Sequence, residues 1–229
     1  MTDFILKSTV SLIVLLGIYY LFLEKEKMHH FNRFFLLFSL LFSLTIPFVT
    51  ITVYREIVPV QVPIIIQQIP KQAPVFVAES TNYTPSILWI LYAIITFILA
   101  IRFCRNIFKI RTKIKNNKKE KIKGAILVLV EEKILPHTFL NYIFINKEDY
   151  ENLNIEEELY THELTHVRQK HTFDILFIEF LKTVFWFNPI LILYKKAIQL
   201  NHEFLADEKV VKSYKNVPFY QNLLLEKAS

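Results

Sequence analysis

Three long apolar runs, at about 4–23, 34–53 and 86–104, constrain this chain more than any other feature. As helices, each is long enough, or nearly so, to cross the roughly 30 Å hydrocarbon layer of a bilayer. Of the 229 residues 53% are hydrophobic and only 2 are glycine, a balance unlike that of a soluble domain of this size. The first run resembles the apolar part of a signal peptide. It leads directly into Glu24-Lys25-Glu26-Lys27 with no small-residue cleavage site, and so reads as a retained anchor. The lone Cys104 excludes an internal disulfide and reads as a small residue at a helix end. The expected class is mainly α and integral to the membrane.

The net charge of +6 is concentrated between Arg102 and Lys123, immediately after the third run. The positive-inside rule places that stretch in the cytoplasm, with anionic lipid headgroups as its partner. No aromatic interleaving or recognition motif accompanies the charges, so nucleic acid is not expected. The turn Glu24 to Arg33 is then cytoplasmic as well, and the N-terminus lies outside. The segment 54–85, interrupted by Pro59, Pro63, Pro70 and Pro74, becomes an extended outer loop. Residues 1–104 thus read as a three-helix anchor and 105–229 as a module facing the cytoplasm.

Within that module Ala125 to Glu131 and Asn141 to Asn146 read as the two strands of a hairpin. Asn154, with Glu157 three residues on, reads as the capping box of a helix running from about Ile155 to Lys170. That helix carries His162-Glu163-Leu164-Thr165-His166. Histidines four apart share a helical face and can close on one ion. Two imidazoles plus a carboxylate suit zinc, leaving a position for water. Glu163 is the candidate general base. The third ligand is expected from Asn201 to Asp207, where Glu203 is favoured over the competing His202. Asp207, one turn beyond Glu203, is placed to orient a ligand imidazole.

The two ligand sets flank another apolar run, 173–194. A straight spanning helix there would put His166 and Glu203 on opposite sides of the bilayer. The run is therefore expected to break at Asn188-Pro189 and return as a re-entrant helical hairpin, with Glu179 and Lys182 paired within it.

These residues resemble the membrane metallopeptidases of the BlaR/MecR signal-transducer family. The resemblance rests on His162 to His166, the following Arg168-Gln169-Lys170-His171, Trp186-Phe187-Asn188-Pro189, and Glu203 to Asp207. It implies a zincin-like endopeptidase, with His162, His166 and Glu203 as zinc ligands, Glu163 as base and Asp207 behind a ligand. It also implies residence in the bacterial inner membrane and cleavage of itself or of a cytoplasmic repressor, with a homodimer as an admissible state. Transducers of this family continue into an extracellular sensor, so the chain reads as a truncated or minimal form. A strand beside the zinc helix, Tyr142 to Ile145, is expected to pair with extended substrate. Tyr160 and Arg168 are the candidates for stabilising the oxyanion. The rival reading is a catalytically silent membrane scaffold.

Overall fold

The computed structural model describes residues 2–49, 84–122, 124–152, 156–214, 218 and 220–222. The expected outer loop therefore lies almost wholly outside the described residues, as does Asn154. The helix expected from about Ile155 starts at Glu157 with Glu156 as its N-cap, so the capping box expected of Asn154 and Glu157 does not start it.

Helix α1 (Thr2–Ile18) extends through a wider turn at Tyr19–Leu23, and α2 (His29–Thr45) ends in a tight turn carrying Pro47. With α3 (Thr84–Asn116), they are three helices long and apolar enough to cross a membrane. Helix α2 starts several residues before the apolar run begins, because His29 to Arg33 already make helical turns. Its buried positions Asn32, Leu36, Ser39, Leu40 and Ser43 form one stripe. Small side chains let membrane helices approach closely, and Ser11 of α1 meets Ser43 at 3.0 Å.

Helix α3 differs from the expected 86–104. It continues as one rod of 33 residues, about 50 Å long. The basic stretch is therefore not a loop. It is the C-terminal end of α3 followed by a strand, β1 (Lys118–Ile122). Lysines suit both places, since they snorkel from a helix end and discourage pairing at an open sheet edge.

The hairpin expected from 125–131 and 141–146 is corrected by the strand pairing. Strands β2 (Ala125–Val130) and β4 (Tyr142–Asn146) lie side by side but run parallel. The intervening segment contains another strand, β3 (His137–Phe139), which turns through Leu140 and pairs antiparallel with β4. The sheet order is β1-β2-β4-β3. Both inner strands are buried on both faces, which erases the alternation a half-exposed strand would show. One face meets Leu164 and Val167, and the other meets Ile110 and Ile114 of α3.

After a short helix α4 (Lys147–Glu151) come α5 (Glu157–Arg168), α6 (His171–Val184) and α7 (Ile190–Tyr214). The apolar run does break at Phe185 to Pro189. Helices α6 and α7 return along each other, with Lys195 on Glu179 (2.6 Å) and His202 on Asp174 (2.9 Å). The expected Glu179–Lys182 pair is present at 3.2 Å. The hairpin packs against α1 and α2 in one core that includes Leu12, Tyr19, Leu36, Leu40, Ile178 and Tyr194. Its tip reaches Thr9 through Asn188 (3.0 Å), and Tyr92 of α3 donates to the Val184 carbonyl (2.9 Å).

Candidate metal centre

Helix α5 is short and amphipathic. Leu164 and Val167 bury into the sheet, which turns His162 and His166 toward α7 and leaves Glu163 against β3 at the sheet's edge. There Glu203 meets both histidines. His162 Nε2 and His166 Nε2 are 3.1 Å apart, and Glu203 oxygens lie 3.3 Å from the first and 3.8 Å from the second. Donors held about 2.05 Å from a tetrahedral ion sit about 3.3 Å from one another, so these three fit one small divalent cation. The fit is in chemistry as well as distance, since two imidazoles and one carboxylate converge within 4.8 Å.

His202 does not join them. Its ring is turned into the protein, where Nε2 contacts Asp174 and the ring stacks on His171 at 3.9 Å. Of the two candidates on α7, Glu203 is the one on the side that faces α5.

Each histidine is backed differently. His162 Nδ1 lies 3.1 Å from Asp207 and 2.9 Å from the Tyr220 hydroxyl, which itself donates to Asp207 (2.7 Å). His166 Nδ1 lies 2.8 Å from Nδ1 of His171. The electrostatics follow. Burial alone would make His162 less basic, but its bonds to Asp207 and Glu203 prevail and lift it to about 9. Burial, reinforced by the neighbouring His162 charge, pulls His166 down to about 4. For Glu203, burial would raise the carboxyl, yet the two histidines hold it low.

Glu163 is buried beside this group. The Thr138 hydroxyl of β3 sits 2.7 Å from Glu163 Oε2 and 3.1 Å from the Glu163 carbonyl. Burial drives the Glu163 carboxyl upward, and the bond to Thr138 partly opposes this. Strand β3 is itself tied down, since the Leu140 amide donates to Thr172 of α6 (2.9 Å).

The group opens into a cleft of about 600 Å³ between α5, α6 and α7 on one side and β3 and α3 on the other. Phe103, Ile107 and Ile110 supply the α3 wall at helical spacing, and Ile175 and Leu176 face it from α6.

Several sequence expectations are corrected here. Tyr142 to Ile145 is an interior strand, paired on both sides, and the strand beside Glu163 is β3. Tyr160 packs into the sheet-side core and Arg168 lies against Gly124, so neither lines the cleft. Thr138 and Tyr220 carried no motif signal, and His171 entered only as part of the resemblance, with no role assigned to it. His171 lies outside the helical period of α5, and Tyr220 reaches the site from 58 residues away.

A family model described as BlaR1 peptidase M56 matches residues 5–226, nearly the whole chain. The chain therefore belongs to that family. None of the curated proteins matches it.

Proposed function

We propose that this member of the BlaR1 peptidase family is a membrane-embedded zinc endopeptidase whose cleft faces the cytoplasm of a bacterial cell. The observation that carries the reading is the convergence of His162, His166 and Glu203 on one point beside a buried, anchored Glu163. A scaffold has no use for a carboxylate buried at such cost unless it moves a proton.

Zinc held by His162, His166 and Glu203 would supply Lewis acidity, polarising the scissile carbonyl and activating water. The remaining work falls to the chain. Thr138 occupies Oε2 of Glu163, leaving the other carboxylate oxygen to take the proton of the attacking water and deliver it to the departing amide nitrogen. Asp207 and Tyr220 hold His162 by Nδ1, which leaves Nε2 free to bind. The outer edge of β3, at the end of the sheet, is the place for an extended peptide to add as a strand. Apolar walls at Phe103, Ile107 and Leu176 suit substrates with bulky apolar side chains near the cut.

The lipid bilayer is the first partner, and a protein substrate is the second: the chain itself or a cytoplasmic repressor. The cleft lies at the basic end of α3, and Arg33 from the first turns of α2 reaches the same module. Both agree with a cytoplasmic cleft under the positive-inside rule. Helices α6 and α7, packed on α1 and α2 as far as Thr9, would then form a hairpin re-entering the membrane.

The test is the zinc content of the detergent-purified full chain beside His166→Ala and Glu203→Ala. About one zinc per chain, lost in both variants, is expected. Zinc absent from the wild type, or untouched by Glu203→Ala, overturns the reading.

A further inference from the structure

A cation from a membrane helix reaches behind the candidate metal centre. Arg33, in the first turns of α2, donates from Nε to Asp174 Oδ2 (2.7 Å) and from Nη2 to the Gln169 carbonyl (2.8 Å). It thereby bridges the junction where α5 ends and α6 begins. Lys170, inside that junction, has φ 56° and ψ 38°, a left-handed conformation that costs a non-glycine residue about 1 kcal/mol or more. The Arg33 fork holds the residue immediately before it.

What the junction holds in turn is His166. If Nε2 of His166 binds a cation, its Nδ1 carries the proton and must donate to Nδ1 of His171, 2.8 Å away. His171 then keeps its own proton on Nε2, which donates to Gln169 Oε1 at 3.1 Å. One tautomer of each ring satisfies all three contacts. A second route leads to the same ring, because Asp174 Oδ2 also accepts from His202 (2.9 Å), whose ring lies flat on His171 at 3.9 Å and 3°. Both routes start at Arg33 and end at His171.

We propose that Arg33 is a positioning residue for the metal centre: from the second membrane helix it fixes the ring and tautomer of His171, and through them the aim of His166. The inference rests on the zinc reading above. Its consequence is that any shift of α2 against the α5–α6 junction loosens one ligand and leaves the other, held by Asp207, in place.

The experiment uses the full chain in detergent with zinc alone as the probe, its affinity read by competition with a chelator. Arg33→Ala is expected to weaken binding about 10–100-fold, the usual effect of removing a partner behind a ligand. Arg33→Lys, whose single ammonium cannot fork to both acceptors, is expected to fall between. In a His171→Ala background the Arg33→Ala loss should largely vanish, whereas combined with Asp207→Ala it should add in full. Cobalt(II) in place of zinc gives a readout that a folding defect leaves alone: the visible band of the loaded Arg33→Ala protein should shift. Affinities of both Arg33 variants within twofold of wild type overturn the proposal. So does simple addition of the Arg33→Ala and His171→Ala losses. Should Arg33→Ala fail to purify folded, Arg33→Lys and Gln169→Ala decide by the same criteria. A wild type that takes up no zinc at all is a different failure, that of the zinc reading itself.

Discussion

The two walls of the cleft are built from different parts of the molecule. One wall carries the candidate cation-binding group: α5 and α7, with α6 and α7 sharing one core with the membrane pair α1–α2. The other consists of β3 and α3, whose hydrogen bonds to the first wall include those of Thr138, Thr172 and Tyr92. The apolar span of α3 has only a half-buried stripe at Tyr92, Ile95, Thr96 and Leu99, while α1 and α2 each bury residues fully against the core. The first wall is braced and the second is lightly tethered. A metal centre needs the bracing, because ligand positions must hold to a fraction of an ångström, whereas a substrate wall has to admit a chain. The two walls should therefore fail differently when altered, one losing metal and the other losing turnover.

The largest effect expected is at the seam between them. Glu163→Gln keeps the shape of the buried side chain but removes the base, so peptide cleavage should fall by about 10²–10⁴-fold while zinc content stays at the wild-type level. Self-cleavage fragments and a fluorogenic peptide pool read the first quantity, and metal analysis reads the second. Loss of zinc in this variant would mean that the base and the ligands are not separate devices. Thr138→Val tests the lightly tethered wall by itself. The threonine hydroxyl holds the Glu163 carboxyl down against burial, so its removal should move that carboxyl higher. The acid limb of the pH–turnover profile then shifts to higher pH, and turnover near neutrality drops by about tenfold, the scale of one hydrogen bond to a charged group. Zinc affinity should not change. A Thr138→Val protein that loses zinc would break the distinction between the walls.

How much of this was legible in the sequence differs by wall. The braced wall announced itself. Apolar runs of sufficient length marked α1 and α2, histidines four apart fixed the face of α5, and the need to bring Glu203 back to His166 required the break near Pro189. The lightly tethered wall did not. Strands β2 and β4 are buried on both faces and so carry no period, and β3 has only three residues. Their parallel pairing depends on a strand too short to be read, hence the expected hairpin and the misplaced edge. The continuation of α3 past its apolar run was masked by its lysines and arginines, although Phe103, Ile107, Ile110 and Ile114 keep helical spacing through them. Contacts such as Arg33 with Asp174, 141 residues apart, follow from packing alone.

Within the braced wall the two histidines themselves form a finer comparison, and the smallest expected effect separates them. Without metal, His162 is lifted to about 9 by Asp207 and Glu203 and is protonated at pH 7, whereas His166, at about 4, is already neutral. Zinc entering at pH 7 must displace a proton from the first and none from the second. About one proton per zinc should be released, measured by calorimetry in buffers of different ionisation enthalpy. The sign is fixed by the raised value: below about pH 9 apparent affinity falls as pH falls, by close to tenfold per unit, and above it the proton release disappears. Asp207→Asn removes one of the carboxylates that raise His162 and leaves Glu203, so proton release at pH 7 should drop below one even though the orienting contact is also weakened. Release of two protons, or release unaffected by Asp207→Asn, would mean that the histidines are not distinguished by their supports. The asymmetry between Asp207 behind one ring and His171 behind the other would then be geometric only.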